Sequence, residues 1–208
     1  MTTWLHGQRL DAVHDAVKAS GARTVLDLGC GEGDLLVRLA RDPEVSRIVG
    51  IDLCRDQLIR LRHRLKTGAG PVRAEVDLIH GDLSAGGERL TGFDCAILIE
   101  TIEHIDPARL SVIERAVFGR MRPRHVVITT PNAEFNSLLG VPPHRFRHPD
   151  HRFEWDRARF AKWSTGVASR NGYQVASRDI AGRHPSRGGA SQMAVFRLSE
   201  AAMDRAVA

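Results

Sequence analysis

Two carboxylates and one imidazole lie close together in residues 99–105, where they are flanked by isoleucines. If this segment turns as a helix, Glu100, Glu103 and His104 occupy positions i, i+3 and i+4 and share one face. Two oxygens and one nitrogen converging on one point suit a divalent cation such as Mn²⁺, Mg²⁺, Fe²⁺, Co²⁺ or Zn²⁺. The alternative is an acidic helix start with a solvated histidine, and the surrounding chain must decide between the two.

A glycine-rich turn at residues 27–33 follows the first predicted strand and reads Asp-Leu-Gly-Cys-Gly-Glu-Gly. Glycines let the backbone approach a ligand and bend into the next helix. Asp52 ends the second predicted strand, where a carboxylate can accept hydrogen bonds from ribose hydroxyls, and Asp82 follows the third, where it can bond an adenine amine. This arrangement fits a dinucleotide or S-adenosylmethionine. Asp27 at the strand end would repel a pyrophosphate, so it favours the cationic adenosylmethionine over a generic glycine turn.

Strand-like and helix-like patterns alternate along most of the chain. The strands are expected at residues 24–28, 47–52, 76–80, 94–99, 124–130, 173–179 and 192–198, and the helices at 4–20, 34–41, 57–66, 107–121 and 156–170. Such alternation is typical of a parallel sheet covered on both faces, and the last two strands predict an antiparallel hairpin at its edge. We therefore expect one α/β domain over residues 1–208, with an active-site loop at residues 131–155.

The composition is ordinary for a globular protein: of 208 residues, 42% are apolar and 26% charged. No apolar run approaches the length of a membrane span, and the first residues contain no apolar core of a signal peptide. Three scattered cysteines argue against a disulfide scaffold. We expect a cytoplasmic monomer with no membrane association, whose net charge of +5 is compatible with nucleic acid.

The segment Val-Leu-Asp-Leu-Gly-Cys-Gly-Glu-Gly, followed by Gly-Ile-Asp52 and Gly-Asp82-Leu, resembles motif I and its successors in the class I methyltransferases. The resemblance covers about residues 20–130 and implies S-adenosylmethionine as the methyl donor. It also implies a Rossmann-like sheet of seven strands, mostly parallel, with an antiparallel edge strand. The residues expected to bind the donor are Asp27, Gly29, Gly31, Gly33, Asp52, Leu53, Asp82, Leu83 and Glu100.

More narrowly, four segments resemble the HEN-type small-RNA 3′-terminal ribose 2′-O-methyltransferases: residues 100–104, 130–136, 150–155 and 191–196. In that family the Glu-x-x-Glu-His residues and the His of Asp-His-x-Phe-Glu-Trp bind a metal. Carried over to this chain, the resemblance implies Mn²⁺ or Mg²⁺ held by Glu100, Glu103, His104 and His151, with His148 as the competing fourth ligand.

The implied reaction is transfer of a methyl group to the 2′-hydroxyl of the last ribose of an RNA, single-stranded or tRNA-like. A terminal nucleotide offers adjacent 2′ and 3′ oxygens to a metal, whereas DNA lacks the 2′-hydroxyl. Glu103, His104 and His148 are the expected catalytic residues, and either imidazole can take the proton. Arg145, Arg147 and Arg152 can hold terminal phosphates, although a solvated basic loop is the alternative.

Two other functions remain open at this point. One is a metal-independent methyltransferase acting on a small molecule, and the other is a non-catalytic module that binds RNA ends. The sequence also lacks the N-terminal half found in bacterial RNA-repair members and the extra RNA-binding modules of eukaryotic members. RNA-repair partner proteins are therefore an open prediction.

Overall fold

Seven strands alternate with helices in the computed structural model, which describes residues 4–85 and 90–204. The strands are β1 (Thr24–Leu28), β2 (Arg47–Asp52), β3 (Glu75–His80), β4 (Cys95–Ile99), β5 (His125–Pro131), β6 (Tyr173–Ile180) and β7 (Ser191–Leu198). The α-helices are α1 (Trp4–Ala19), α2 (Asp34–Leu39), α3 (Arg55–Thr67), α4 (Leu110–Glu114), α5 (Arg157–Asn171) and α6 (Glu200–Asp204). No helix among these residues is both long and apolar enough to cross a bilayer.

The strands form one sheet in the order β3-β2-β1-β4-β5-β7-β6. The first five are mutually parallel, while β7 runs antiparallel to both of its neighbours, β5 and β6. The predicted fold class is thus confirmed. The hairpin lies at one edge of the sheet, with β7 between β5 and β6 and with β6 as the outermost strand. The strand order reverses between β1 and β4, and open α/β sheets bind ligands at the carboxyl ends of the strands beside such a reversal.

Two apolar cores cover the two faces of the sheet because side chains alternate along a strand. Leu26 of β1 belongs to one core, together with Phe118 and Phe196. The adjacent Val25 belongs to the other, together with Leu36 of α2. The central strands are buried on both faces, which fixes the positions of the loops at their carboxyl ends.

The helix predicted over residues 107–121 is broken into three pieces: a 3₁₀ turn at Pro107–Arg109, then α4, then a π-helical segment at Arg115–Met121. The carboxylate of Asp106 caps the first piece by accepting a hydrogen bond from Ala108 N at 2.9 Å. Apolar spacing predicts that a helix exists but does not distinguish these closely related hydrogen-bond patterns.

Residues 131–155 are more ordered than a structureless loop. β5 continues through Pro131, and a 3₁₀ helix covers Ala133–Leu139. The side chain of Asn132 starts this helix by accepting a hydrogen bond from Glu134 N at 3.0 Å. A backbone bridge joins Asn132 to Trp155, so both ends of the segment lie beside β5.

Candidate active site

A cleft of about 810 Å³ lies at the carboxyl ends of the central strands. It is lined by most of the residues selected from the sequence, namely Asp27, Gly29, Gly31, Gly33, Asp52, Leu53, Leu83, Glu100, His104, His148 and His151. Asp82 and Glu103 are not part of its lining. One continuous space therefore joins the glycine turn to the histidines.

The glycine turn needs glycine for two separate reasons. Gly29, Gly31 and Gly33 have φ values of 84°, 54° and 74°, a region that favours glycine. A Cβ on Gly29 would approach the Thr101 side chain to 2.6 Å, and a Cβ on Gly33 would overlap Leu61. At Gly31 there is room, and its amide donates a 2.8 Å hydrogen bond to the Asp52 carboxylate.

The three predicted aspartates have different environments. Asp27 is 3% exposed, and burial, followed by the nearby charge of Asp52, raises its pKa to about 7. Asp52 accepts hydrogen bonds from Gly31 N and from Cys54 N, the second at 2.7 Å, which shapes the loop around the cleft. Asp82 accepts from Ser84 N and lies 3.0 Å from the Arg109 guanidinium; these contacts, led by Ser84, lower its pKa.

The two glutamates after β4 lie in different surroundings and not on one α-helical face. Glu100 has a left-handed backbone with φ 49°, and its carboxylate contacts Thr129, Ser191 and, at 3.1 Å, Arg9. Glu103 is fully buried in a 3₁₀ turn, where its Oε2 accepts a hydrogen bond from Thr130 at 3.0 Å. Burial and the charge of Glu100 raise the pKa of Glu103 well above its usual range.

Three histidines that line the cleft lie close to one another. His104, His148 and His151 each offer a nitrogen, and these nitrogens lie within 4.8 Å of one another. The carboxylates of Glu100 and Glu103 are not in this tight set. Burial, followed by the neighbouring His151 and His148, lowers the pKa of His104, which favours the neutral imidazole.

The three imidazoles and the two glutamate carboxylates are groups that suit a divalent cation. Neutral imidazoles and carboxylates are its usual ligands, and the buried Oε1 of Glu103 has no hydrogen-bond partner among the described residues. The Nδ1 of His151 contacts the Glu154 carboxylate at 2.6 Å, which leaves its Nε2 for another partner. A carboxylate that orients a histidine in this way is typical of metal sites.

A buried network fixes the segment that carries His148 and His151. The side chain of Glu154 is 1% exposed and accepts hydrogen bonds from His151, Asn136 and the Arg147 amide. The Arg147 guanidinium donates to Asn136 and to the carbonyls of Ala190 and Asn132. Arg147 therefore helps to hold this loop, and the phosphate contact expected of it from the sequence stays a prediction.

Comparison with known proteins identifies the family of this chain. Residues 25–124 match the protein family described as "Methyltransferase domain". The crystal structure of the methyltransferase domain of a bacterial Hen1 (CtHen1-C) is 38% identical, with a TM-score of 0.83, and the match covers 94% of this chain and 99% of that one. The chain belongs to the Hen1 methyltransferase-domain family.

Longer members of the Hen1 family also match. The Small RNA 2′-O-methyltransferase of Gallus gallus is 38% identical over 82% of this chain but only 47% of its own length. The crystal structure titled as the small RNA methyltransferase HEN1 is 30% identical, with a TM-score of 0.83, over 92% of this chain and 25% of that one. This chain thus spans about half the length of the curated relatives that match it.

Two residues of this Hen1 domain site were missed in the sequence. Arg9 of α1 lies 91 residues from its partner Glu100, and no local pattern signals that contact. Glu154 lies three residues after His151 and could have been found, because a carboxylate at this spacing often bonds a histidine ring. The roles assigned to the other site residues stay predictions.

Proposed function

We propose that this Hen1 domain transfers a methyl group from S-adenosylmethionine to the 2′-hydroxyl of the 3′-terminal ribose of RNA, with a divalent cation at the histidines. The observation that carries the proposal is the single cleft that joins the glycine turn and Asp52 to His104, His148 and His151. Relatives named Small RNA 2′-O-methyltransferase support the same reaction.

The donor would lie along the glycine turn. The backbone of Gly29, Gly31 and Gly33 permits a close approach, and Asp52 would accept hydrogen bonds from the ribose hydroxyls. Asp27 lies beneath the turn, where its carboxylate would face the cationic end of the donor. When bound, S-adenosylmethionine supplies an electrophilic methyl group on its sulfonium.

The cation would be held by His104, His151, Glu103 and Glu100. A bound divalent cation lowers the pKa of a hydroxyl next to it and orients that hydroxyl. Because Glu100 is paired with Arg9, the Arg9 side chain would have to share that carboxylate when the site is loaded. Mn²⁺ and Mg²⁺ remain the proposed ions.

A base is needed to take the proton of the 2′-hydroxyl. His104 and His148 are the candidates. The Nδ1 of His148 accepts a hydrogen bond from Asp150 N at 3.2 Å, so Nδ1 is the unprotonated nitrogen of the neutral ring and the one that can receive a proton. With His104 as a ligand, we assign the base to His148, whose Nδ1 would exchange the Asp150 amide for the proton of the 2′-hydroxyl.

The test is transfer of a radiolabelled methyl group to a short RNA, compared with the same RNA ending in 2′-deoxyribose or in a 3′-phosphate. Only the RNA with both terminal hydroxyls should react, EDTA should stop the reaction, and Mn²⁺ should restore it. Labelling of the 2′-deoxy RNA would overturn the assigned acceptor, and full activity in EDTA would favour a metal-independent enzyme.

Substitution of single histidines tests the assigned roles. His151→Ala should abolish Mn²⁺ binding measured by titration calorimetry, whereas His148→Ala should keep Mn²⁺ binding and lose turnover. The reverse result would make His148 the fourth ligand. S-adenosylmethionine affinity should be unchanged in both variants, because neither ring lies at the glycine turn.

A further inference from the structure

A groove along the solvent side of α5 is separate from the active-site cleft. It encloses about 690 Å³ and combines indole rings with cations: Trp155, Trp163, Arg159, Lys162 and Arg170. The two indole centroids lie 5.6 Å apart, and the Arg159 guanidinium lies 5.3 Å from the Trp155 ring. Trp155 is only 4% exposed and Trp163 is partly buried, so the exposed cations provide most of what this groove offers a ligand. Positively charged grooves are typical of surfaces that follow a nucleic-acid backbone.

The charges on α5 are unbalanced in this groove. The helix has cations at positions 157, 159, 162 and 170 and no carboxylate of its own. Arg157 is neutralised by Glu134 and Asp179, and Arg170 by Glu114. Arg159 and Lys162 are exposed and form no ion pair with a described residue. Asp156 also lines the groove, and its carboxylate accepts a hydrogen bond from Arg159 N at 2.7 Å. The two unpaired cations outnumber this one carboxylate, so a polyanion complements this part of the helix.

The groove begins where the active-site segment ends. Trp155 follows His151 by four residues, and its carbonyl accepts hydrogen bonds from Ala133 N at 3.1 Å and Gln192 Nε2 at 2.9 Å. These bonds fix the start of the groove relative to β5 and β7. Because Trp155 is only four residues from His151, the start of the groove lies within about 14 Å of the His151 backbone.

We propose that this groove binds the single-stranded RNA immediately 5′ of the reacting nucleotide, with phosphates contacting Arg159 and Lys162. The inference rests on the proposed function for the position of the RNA end. It adds a second RNA contact, which acts on the body of the strand and not on its last sugar.

The experiment compares wild type with the double variant Arg159→Gln/Lys162→Gln. Binding of a fluorescent single-stranded RNA of about 12 nucleotides is measured by anisotropy at several salt concentrations, and methyl transfer is measured on the same RNA and on a dinucleotide. Arg62→Gln/Lys66→Gln is the matched control, because it removes the same charge from two positions of α3 that line neither the cleft nor the groove.

The double variant should bind the longer RNA on the order of tenfold more weakly, and the salt slope of log K should fall by about 1.4, as expected for two lost phosphate contacts. KM for the longer RNA should rise while kcat and all dinucleotide kinetics stay unchanged. Wild-type binding and salt slope in the double variant would overturn the proposal, as would an equal loss in the control. Failure of wild type to methylate any RNA would instead overturn the proposed function, because anisotropy needs no turnover.

Discussion

His151 is oriented by a buried carboxylate, and this pair is the most constrained part of the candidate metal site. Glu154 also holds the Arg147 amide at 2.7 Å, so the same group positions the ring and anchors its loop. A histidine whose Nδ1 is held in this way presents Nε2 in one direction and in one tautomer.

Glu154→Gln should weaken Mn²⁺ binding by about 10- to 100-fold, because an amide holds the His151 ring less firmly than a carboxylate does. Titration calorimetry measures this affinity without any turnover. Glu75→Gln, on the exposed edge strand β3, is the matched control and should bind Mn²⁺ like wild type. Equal Mn²⁺ affinity in the two variants would show that Glu154 does not contribute to the metal site.

We predict that Asp27 makes the binding of S-adenosylmethionine depend on pH. Its pKa of about 7 lies above the value of 3.8 in an unfolded chain, so below pH 7 the folded protein carries a neutral carboxyl there. A cationic donor prefers the carboxylate, so the Kd for S-adenosylmethionine should fall as pH rises toward 7 and level off above it. The Asp27→Asn variant should lose this dependence in fluorescence titrations. A pH profile shared by both proteins would contradict the assignment.

The raised pKa of Asp27 also makes folding stability depend on pH, in the opposite direction. Because the folded pKa is raised, the contribution of Asp27 to stability is greatest below pH 3.8 and is lost as pH rises toward 7. Donor binding and folding thus respond to this carboxyl in opposite directions over one pH window.

At the scale of elements, the glycine turn and α3 are packed too closely for a side chain at Gly33. A Cβ there would overlap Leu61, whereas the nearest atom to a Cβ at Gly31 is Gln57 Oε1 at 3.6 Å. Both positions have positive φ, so they differ mainly in packing. This contrast isolates the role of the contact between the turn and α3.

Gly33→Ala should lower the free energy of unfolding by about 3 kcal/mol, and Gly31→Ala by about 1 kcal/mol, because only the first adds a steric clash to backbone strain. Urea unfolding measures both. The double variant Gly33→Ala/Leu61→Ala should lose less unfolding free energy than the sum of the two single losses, because the shorter side chain removes the clash. A double-mutant cycle measures this difference. Additive effects would mean that the clash is relieved elsewhere.

At the scale of the whole molecule, one aromatic cluster joins the π-helical segment to the terminal strands. Phe118 packs edge-on against Tyr173 at 5.2 Å and Phe196 at 4.8 Å, on the sheet face whose core it shares with Leu26. Edge-to-face pairs of this kind add to the stability gained from burying the rings. The antiparallel hairpin is thereby tied to the parallel half of the sheet.

Phe118→Ala should cost about 3–5 kcal/mol of unfolding free energy, since it leaves a cavity in a fully buried cluster. Phe146→Ala, at a ring that is 47% exposed, is the control and should cost less than about 0.5 kcal/mol. Thermal unfolding followed by circular dichroism separates the two. Similar losses would show that Phe118 does not join the two halves.

The sequence by itself determined the features that depend on neighbouring residues. The alternation of strands and helices, the glycine turn and Asp52 follow from local spacing, and the structure has all of them. The terminal hairpin was also predictable, because two strand patterns without a helix between them leave little alternative.

Only the tertiary structure decided which distant side chains meet. Arg9 reaches Glu100, Arg147 turns inward to Asn132, and His148 joins His104, because packing of α1, β5 and the 131–155 segment brings them together. The burial of Glu103 could not be predicted either, since a Glu-x-x-Glu-His spacing is compatible with a solvated turn. Periodicity specifies which face a residue occupies on its own element, but contacts between elements depend on how the whole chain packs.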